Sequence, residues 1–389
     1  MSKYFKNFKL DNETLTFEVH NLNSSLCNSL RRIIISEIET LGFRSSFEGE
    51  GDINIEVNTS ALHNEFLGHR LSLLPIHYPA NDISTFDIDK YEFIIDITNN
   101  TDNTIDVTTK DIKIIDKLSE KYLSEDETRK FFPPNDITGD YIIINRLKPN
   151  KAEGTDGEAL KIRMKADRGT GQEHSRYTPT CVSIFTNKID EVKYESFLQK
   201  KIAEKEETMT AEEMKRFAHS LRLSEGERHF HTNELGEPDL FEFTIESDGR
   251  IPPQIILYKS LFVLTEKLNK LAKNIDNEEV VTYKNSDCIM DSYDVIIKDE
   301  DYTLGTVIQN YIYSLYQRKE TKDVKFISTS VPHPLENNLA FRISLENSSN
   351  RENSISNIKK IFIGTIDYLN STIVKLKGEM KNTFKGNLE

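Results

Sequence analysis

Leu15-Thr-Phe-Glu-Val19, followed after the polar break Asn23-Ser24-Ser25 by Leu26-Cys-Asn-Ser-Leu-Arg-Arg-Ile-Ile34, is the stretch on which the fold turns. Its first five residues alternate apolar and polar side chains, the period of a half-buried strand. Asn23, Ser24 and Ser25 offer oxygens that can cap a helix. Leu26, Leu30, Ile33, Ile34, Glu37, Ile38 and Leu41 then keep helical spacing, and all but Glu37 are apolar, so one stripe of the predicted helix asks for burial. Arg31 and Arg32 fall beside that stripe. The same plan returns near the end of the chain and overlays without a gap. Phe17 falls on Val295, Val19 on Ile297, Leu26 on Leu304, Leu30 on Ile308 and Ile34 on Ile312.

Both copies continue toward a long apolar-striped helix. After the first, Phe241-Glu-Phe-Thr-Ile245 reads as a strand and Asp248-Gly249 as a turn. Pro252-Pro253 opens a helix, since proline costs little in a first turn. Ile255, Ile256, Leu261, Leu264, Leu268, Leu271 and Ile275 line it. After the second, with Thr303 as a candidate cap and Tyr311 and Leu315 continuing the stripe, Phe326–Val331 and Leu339–Leu345 form a hairpin. The last helix carries Ile355, Ile358, Phe362, Ile366, Leu369, Ile373, Leu376 and Met380 in steps of three and four, a seam that faces one partner. A strand–helix–hairpin–helix unit this small cannot bury every apolar stripe itself; two packed helix against helix can.

The intervening sequence is of another kind. Ile53-Asn-Ile-Glu-Val57 alternates as a strand, and Asn58-Thr-Ser60 offers a cap for a short helix through His69. From about 79 to 227, short strand-like runs (Phe93–Ile97, Ile112–Ile115, Tyr141–Ile144, Leu160–Met164) are separated by turn-rich stretches. A charged helical stretch, Glu195–Arg222, closes the segment and reads as a solvated face. The expected organisation is α+β. Residues 1–78 and 228–275 form one unit, 79–227 an inserted mainly β domain, 276–291 a polar linker and 292–389 the second unit.

Composition bounds the function. The chain has 389 residues, 37% hydrophobic and 29% charged, with net charge −14. No apolar run reaches the length of a membrane span, and the amino terminus reads as no secretory signal. Cys27, Cys181 and Cys288 are odd in number and far apart, which argues against a disulfide framework and for a reducing compartment. The acidity argues against gripping duplex DNA, where lysine and arginine on phosphate supply most of the affinity. His63, Glu65 and His69 offer a possible metal set for a hydrolase, but H-x-E-x-x-x-H is not H-E-x-x-H, and two histidines six apart on a helix point about 120° from each other. No phosphate-binding loop, nucleophile elbow or paired-aspartate polymerase motif is present.

Several motifs are more specific. Asn28-Ser-Leu-Arg-Arg-Ile33 resembles the N-(A/S)-L-R-R helix of alpha-type RNA polymerase subunits. Asn58-Thr-Ser-Ala-Leu-His63 with Glu65-Phe66, Gly68-His-Arg-Leu71 and Leu73-Leu-Pro-Ile76 is similar to a second stretch of that family. Gly169, Glu173-His-Ser-Arg-Tyr177 and Pro179 resemble a segment of its eukaryotic and archaeal larger partner. Asp301-Tyr-Thr-Leu-Gly305 and Val331-Pro-His-Pro-Leu-Glu336 are similar to signatures of the smaller partner, with Tyr302 where that partner has histidine and Thr306 where it has asparagine.

The resemblance implies two alpha-type dimerisation units fused in one chain as an intramolecular pseudo-dimer. Such a fusion, with an Asn-, Ile- and Lys-rich composition, resembles the fused subunit of large cytoplasmic DNA viruses. The role implied is non-catalytic: a platform on which the two largest subunits of a DNA-directed RNA polymerase associate. No cofactor, no metal, no membrane and little direct DNA contact are expected. The metal-binding cysteine cluster of many larger partners has no match, since the insertion holds Cys181 as its one cysteine. Leu26, Leu30, Ile33, Ile34, Leu304, Ile308, Tyr311, Ile312, Phe362 and Leu369 are the expected pairing residues. Arg31, Arg32, His69, Arg70, Glu173 and His174 are the expected contacts with the large subunits, with smaller polymerase subunits as further partners. The implied location is the host cytoplasm and virion for a viral protein, and otherwise the nucleus or cytoplasm with the polymerase.

Overall fold

A computed structural model describes residues 3–45, 51–149, 157–204, 210–286, 292–318, 323–346 and 351–386. The chain forms two compact units. The first takes the chain up to Ile34, then Val182–Glu246, then Pro253 onward; the second takes Ile35–Cys181 and Ser247–Pro252.

The first unit opens with the hairpin β1 (Phe5–Asp11) and β2 (Thr14–His20) and the helix α1 (Ser24–Ser36). Asn12, at the turn, takes a positive φ of 49°, which asparagine tolerates. Asn23 caps as expected, its Oδ1 accepting from Ser25 N at 2.8 Å. The helix stops at Ser36 rather than running to Leu41. Gln172 N donates to Ser36 O, and Thr40–Gly42 forms a strand, β3, paired elsewhere.

The second unit follows: β4 (Ile53–Asn58), α2 (Asn64–Ser72), β5 (Tyr91–Thr98), β6 (Ile105–Thr108), β7 (Lys113–Asp116), β8 (Lys121–Tyr122), α3 (Glu125–Phe131), β9 (Ile143–Leu147), β10 (Ala159–Met164) and β11 (Asp167–Gly169). Five strands make an antiparallel sheet in the order β4-β10-β5-β7-β8, and β3–β11 and β6–β9 make two ribbons. Phe93 lies in its core, with Phe43 at 5.2 Å and Phe131 at 5.8 Å, both edge-on.

The chain returns through β12 (Thr180–Asn187), α4 (Glu191–Ala203), α5 (Ala211–Glu225), β13 (Leu240–Ser247) and α6 (Pro253–Asn274), then β14 (Val281–Asn285), β15 (Ser292–Lys298), α7 (Tyr302–Ile312), β16 (Val324–Ser330), β17 (Asn338–Leu345) and α8 (Arg351–Thr383). Two four-stranded sheets result, β1-β2-β13-β12 and β14-β15-β17-β16, with the same order of corresponding strands. The ungapped overlay holds in space: β2 and β15 correspond end to end, and α1 and α7 begin at corresponding residues.

The division of the chain differs from the expected one. The change of unit falls at Ile34/Ile35 and Cys181/Val182, not at 78/79 and 227/228. The reason is strand pairing. Ile53–Asn58 adds to β10, with Ile53 opposite Met164, while Thr180–Asn187 adds to β13. The polar stretch 276–291 also holds structure: Val281–Asn285 is an edge strand, with Val281 opposite Ile297. Residues 287–291, with Cys288, lie outside the described residues. The charged stretch 195–222 becomes α4 and α5, begun by Asp190 and Thr210 caps. Among the described residues, no helix is long and apolar enough to cross a membrane.

Candidate assembly interface

The two halves meet inside the first unit. Helix α8 of the second half packs along α6 and against β1 of the first, and α7 packs on α6 and α8. Leu26, Leu30, Ile33, Ile34, Leu304, Ile308, Ile312, Phe362 and Leu369 are all buried; Tyr311 is half-buried, its ring 5.8 Å from that of Tyr368. Each fully buried aliphatic or phenyl side chain is worth roughly 1.5–3 kcal/mol, against about 0–1 for an exposed ion pair, so apolar burial outweighs the surface charges where α8 lies along α6.

Polar contacts fix its register. Lys377 on α8 lies over the Phe262 ring of α6 at 3.7 Å and donates to Thr265 Oγ1 at 3.0 Å. Asn370 donates to Asn269 at 2.9 Å. The Glu379 carboxylate, near the end of α8, accepts from the backbone N–H groups of Lys3, Tyr4 and Phe5 at 2.6–3.3 Å, tying the first strand of one half to the last helix of the other.

At the other helix pair, Ser29 Oγ donates to Thr303 O. Arg32 donates through Nε to Thr303 Oγ1 at 2.8 Å and through its other arm to Asp301. Arg32, expected to face the large subunits, therefore spends donors inside the chain. Asp301, and not Thr303, caps α7, accepting from Thr303 N at 2.8 Å. Gly305 lets α7 approach its sheet: a Cβ there would meet Leu339 at 2.6 Å.

Burial would raise the Asp301 carboxyl, but hydrogen bonds from Thr303 and the charges of Arg32 and Lys267 hold it below its ordinary value. Glu18 on β2 is held at about 2, as bonds from Lys188, Asn7 and His20 outweigh its burial. A carboxyl lowered in the folded state binds its proton more readily when unfolded, so its contribution is complete above the ordinary range and lost as pH falls. Acid unfolding should therefore steepen below about pH 4.5, toward 2. Glu18→Gln with Asp301→Asn should flatten the curve there and leave the slope near neutrality alone; equal slopes in denaturant melts across that window would count against both.

The other expected contact residues occupy distinct settings. Arg31, on α1, bonds Asn28 Oδ1 at 3.0 and 2.9 Å; burial, then the Arg32 charge, push its guanidinium down. In the second unit His69 and Arg70 are exposed at the end of α2, and Arg70 donates to Ile143 O at 3.2 and 2.8 Å. Glu173 is exposed, while His174 is half-buried and its Nδ1 accepts from Arg176 N at 3.1 Å. His63 is the cap of α2, accepting from Glu65 N at 3.3 Å; Asn58 instead bonds the Ser60 and Leu62 turn. With His63 spent as a cap and His69 in the last turn, the possible metal set is not gathered. Among the described residues, no three His, Cys, Asp or Glu side chains are placed to share an ion.

The sequence matches the model of the RNA polymerase Rpb3/Rpb11 dimerisation domain twice, over residues 16–268 and 292–376. The chain belongs to the Rpb3/Rpb11 dimerisation-domain family. It is 24% identical over 313 residues to DNA-directed RNA polymerases II, IV and V subunit 3 of Arabidopsis thaliana, covering 70% of this chain and 91% of that one. It is 26% identical over 293 residues to DNA-directed RNA polymerase II subunit RPB3 of Schizosaccharomyces pombe, covering 69% and 86%. A conjugation stage-specific protein of Tetrahymena thermophila is 27% identical over 185 residues, 44% of this chain and 54% of its own length. Two Rpb3/Rpb11 dimerisation domains thus lie in one polypeptide and pair within it.

Within this Rpb3/Rpb11 frame, an arginine that no motif marks organises the second unit. Arg250 is 8% exposed. It donates to Asp248 Oδ2 at 2.6 Å, Arg176 O at 3.0 Å, Thr40 Oγ1 at 3.2 Å and Leu41 O at 3.4 Å, and also to Thr178 O. Arg176 donates to Phe43 O. The Tyr177 ring lies against Gly42 and Gly169, where added Cβ atoms would meet it at 2.9 and 2.5 Å. The Gly169–Tyr177 motif thus keeps a ring on a glycine-floored ribbon. Tyr177 and Gly169 stand close together in the sequence, but no local signal joins Arg250 to them, because that link crosses more than seventy residues.

Proposed function

We propose that this chain is a non-catalytic assembly subunit of a DNA-directed RNA polymerase, and that its paired halves present a composite platform on which the two largest subunits associate. The observation that carries the reading is the pair of dimerisation domains, 16–268 and 292–376, already joined through α6, α7 and α8. Fusion makes their pairing intramolecular and raises the effective concentration toward the millimolar range. Catalysis then belongs to other chains, and this one contributes binding and preorganisation.

The proposed contacts with the large subunits are Arg31 in the first unit and, separately, His69, Arg70, Glu173 and His174 in the second, with Arg32 assigned to the internal seam. The fused arrangement and the Asn-, Ile- and Lys-rich composition support a viral setting, with the protein in the host cytoplasm and the virion; in a cellular setting it accompanies its polymerase in nucleus or cytoplasm. The test is co-expression with the two largest polymerase subunits. The chain should be monomeric and inactive by itself and should co-purify with the second-largest subunit at one copy per enzyme. Robust self-association with no such co-purification would remove the reading.

A further inference from the structure

In the second unit, a groove of about 490 Å³ runs between the Asn58–His63 turn, α2 and strand β9. Ala61, Leu62, Ile143 and Ile144 give it an apolar floor, and Arg70, Arg146 and Lys148 line it. No acidic residue is among the lining residues, in a chain whose net charge is −14. A bulge in β9 sets Ile144 out of register, since Val107 pairs with Asn145 and Thr108 with Ile143; such bulges re-aim side chains. Among the described residues, β9 has one strand neighbour, β6.

The cations are available. Arg70 gives its donors to a backbone carbonyl, Ile143 O. Arg146 pairs with Asp106 at 2.8 Å, but both side chains are well exposed, and such a surface pair is worth about 0–1 kcal/mol, too little to withhold the arginine from a second carboxylate. Among the described residues the side chains of Arg70 and Lys148 make no ion pair, and the Glu158 carboxylate beside Lys148 accepts from its backbone N–H at 2.7 Å rather than from its ammonium.

We propose that this groove receives an extended acidic peptide segment of a partner polypeptide, its aliphatic side chains on the half-buried Leu62 and Ile143 and its carboxylates on Arg70, Arg146 and Lys148. The proposal rests on the assembly reading, since Arg70 is among the proposed contacts with the large subunits. Apolar floor and basic rim together favour a peptide over a nucleic acid: phosphates would use the rim, but a backbone of phosphate and sugar would leave the aliphatic floor uncovered.

The test uses the full chain and a fluorescein-labelled peptide of alternating glutamate and valine. Fluorescence polarisation should show binding that weakens with salt and falls by roughly tenfold or more in Arg146→Gln/Lys148→Gln, two exposed positions where a neutral side chain sets no like charge beside Asp106 or Glu158 and should leave the melting temperature in place. Leu62→Asp should weaken binding as well, and the lysine–valine peptide should not bind. Equal binding of both peptides, no loss in the double variant, or tighter binding of a single-stranded oligonucleotide would overturn the proposal. The two readings separate cleanly. A chain that co-purifies with the large subunits but ignores the acidic peptide loses only the groove. One that binds the peptide but never co-purifies loses only the assembly role.

Discussion

Phe362→Ala should lower the unfolding free energy of the first unit by about 3–5 kcal/mol, the range for truncating a fully buried aromatic side chain. Phe362 is 1% exposed on α8 and stands edge-on to Phe341 of β17, ring centres 5.2 Å apart. Removing the ring leaves a cavity and strips the aromatic pairing. The effect should not stop at the carboxy-terminal half. Helix α8 also packs on α6, and Glu379 holds the backbone of residues 3–5. Amide hydrogen exchange should therefore quicken in β1 and β2 along with β15 and β17, by comparable factors. Faster exchange confined to the second half would show that the halves fold independently and that the seam contributes little.

Arg250→Ala is the second change with a large expected effect, about 3–5 kcal/mol, measured by denaturant unfolding of the second unit. The guanidinium is nearly buried and satisfies Thr40, Leu41, Arg176 and Thr178 while pairing with Asp248. Truncation strands those acceptors, each at about 1–3 kcal/mol if water cannot reach it, and leaves Asp248 without its partner. Arg250→Lys should recover only part of the loss, because one ammonium cannot reproduce the planar fork that reaches four carbonyl and hydroxyl oxygens and a carboxylate. A loss under about 1 kcal/mol for the alanine variant would mean that water replaces the guanidinium.

Much of the fold was legible because the signals are local. Leu15–Val19 and Tyr293–Ile297 alternate, and both became strands; the stripes of α6, α7 and α8 repeat every three or four residues, and those helices formed. Two of the helix caps are less legible. Thr303 offers a cap where Asp301 performs the role, and Asn58–Ser60 where His63 does, because several polar side chains near a helix start compete for the same N–H groups. The metal alternative of His63, Glu65 and His69 lost its first member to that competition.

The surface residues were legible only as letters. The Arg-Arg pair at 31 and 32 reads alike from sequence, yet Arg31 bonds its own helix and Arg32 reaches the other half. Acceptors carry the same ambiguity: nothing near Glu379 marks it as the acceptor of the backbone N–H groups of Lys3, Tyr4 and Phe5.

The sequence by itself determined that this chain holds the same strand–helix plan twice, each ending in a long apolar-striped helix, because period and spacing are properties of consecutive residues. Only the tertiary structure decided which strands share a sheet. Ile53–Val57 carries a strand signal and pairs with residues more than a hundred positions away, while Thr180–Asn187, for which no strand is expected from the sequence, returns to the opening sheet. Register between distant strands depends on which partner edge is present, and no window along the chain contains that edge.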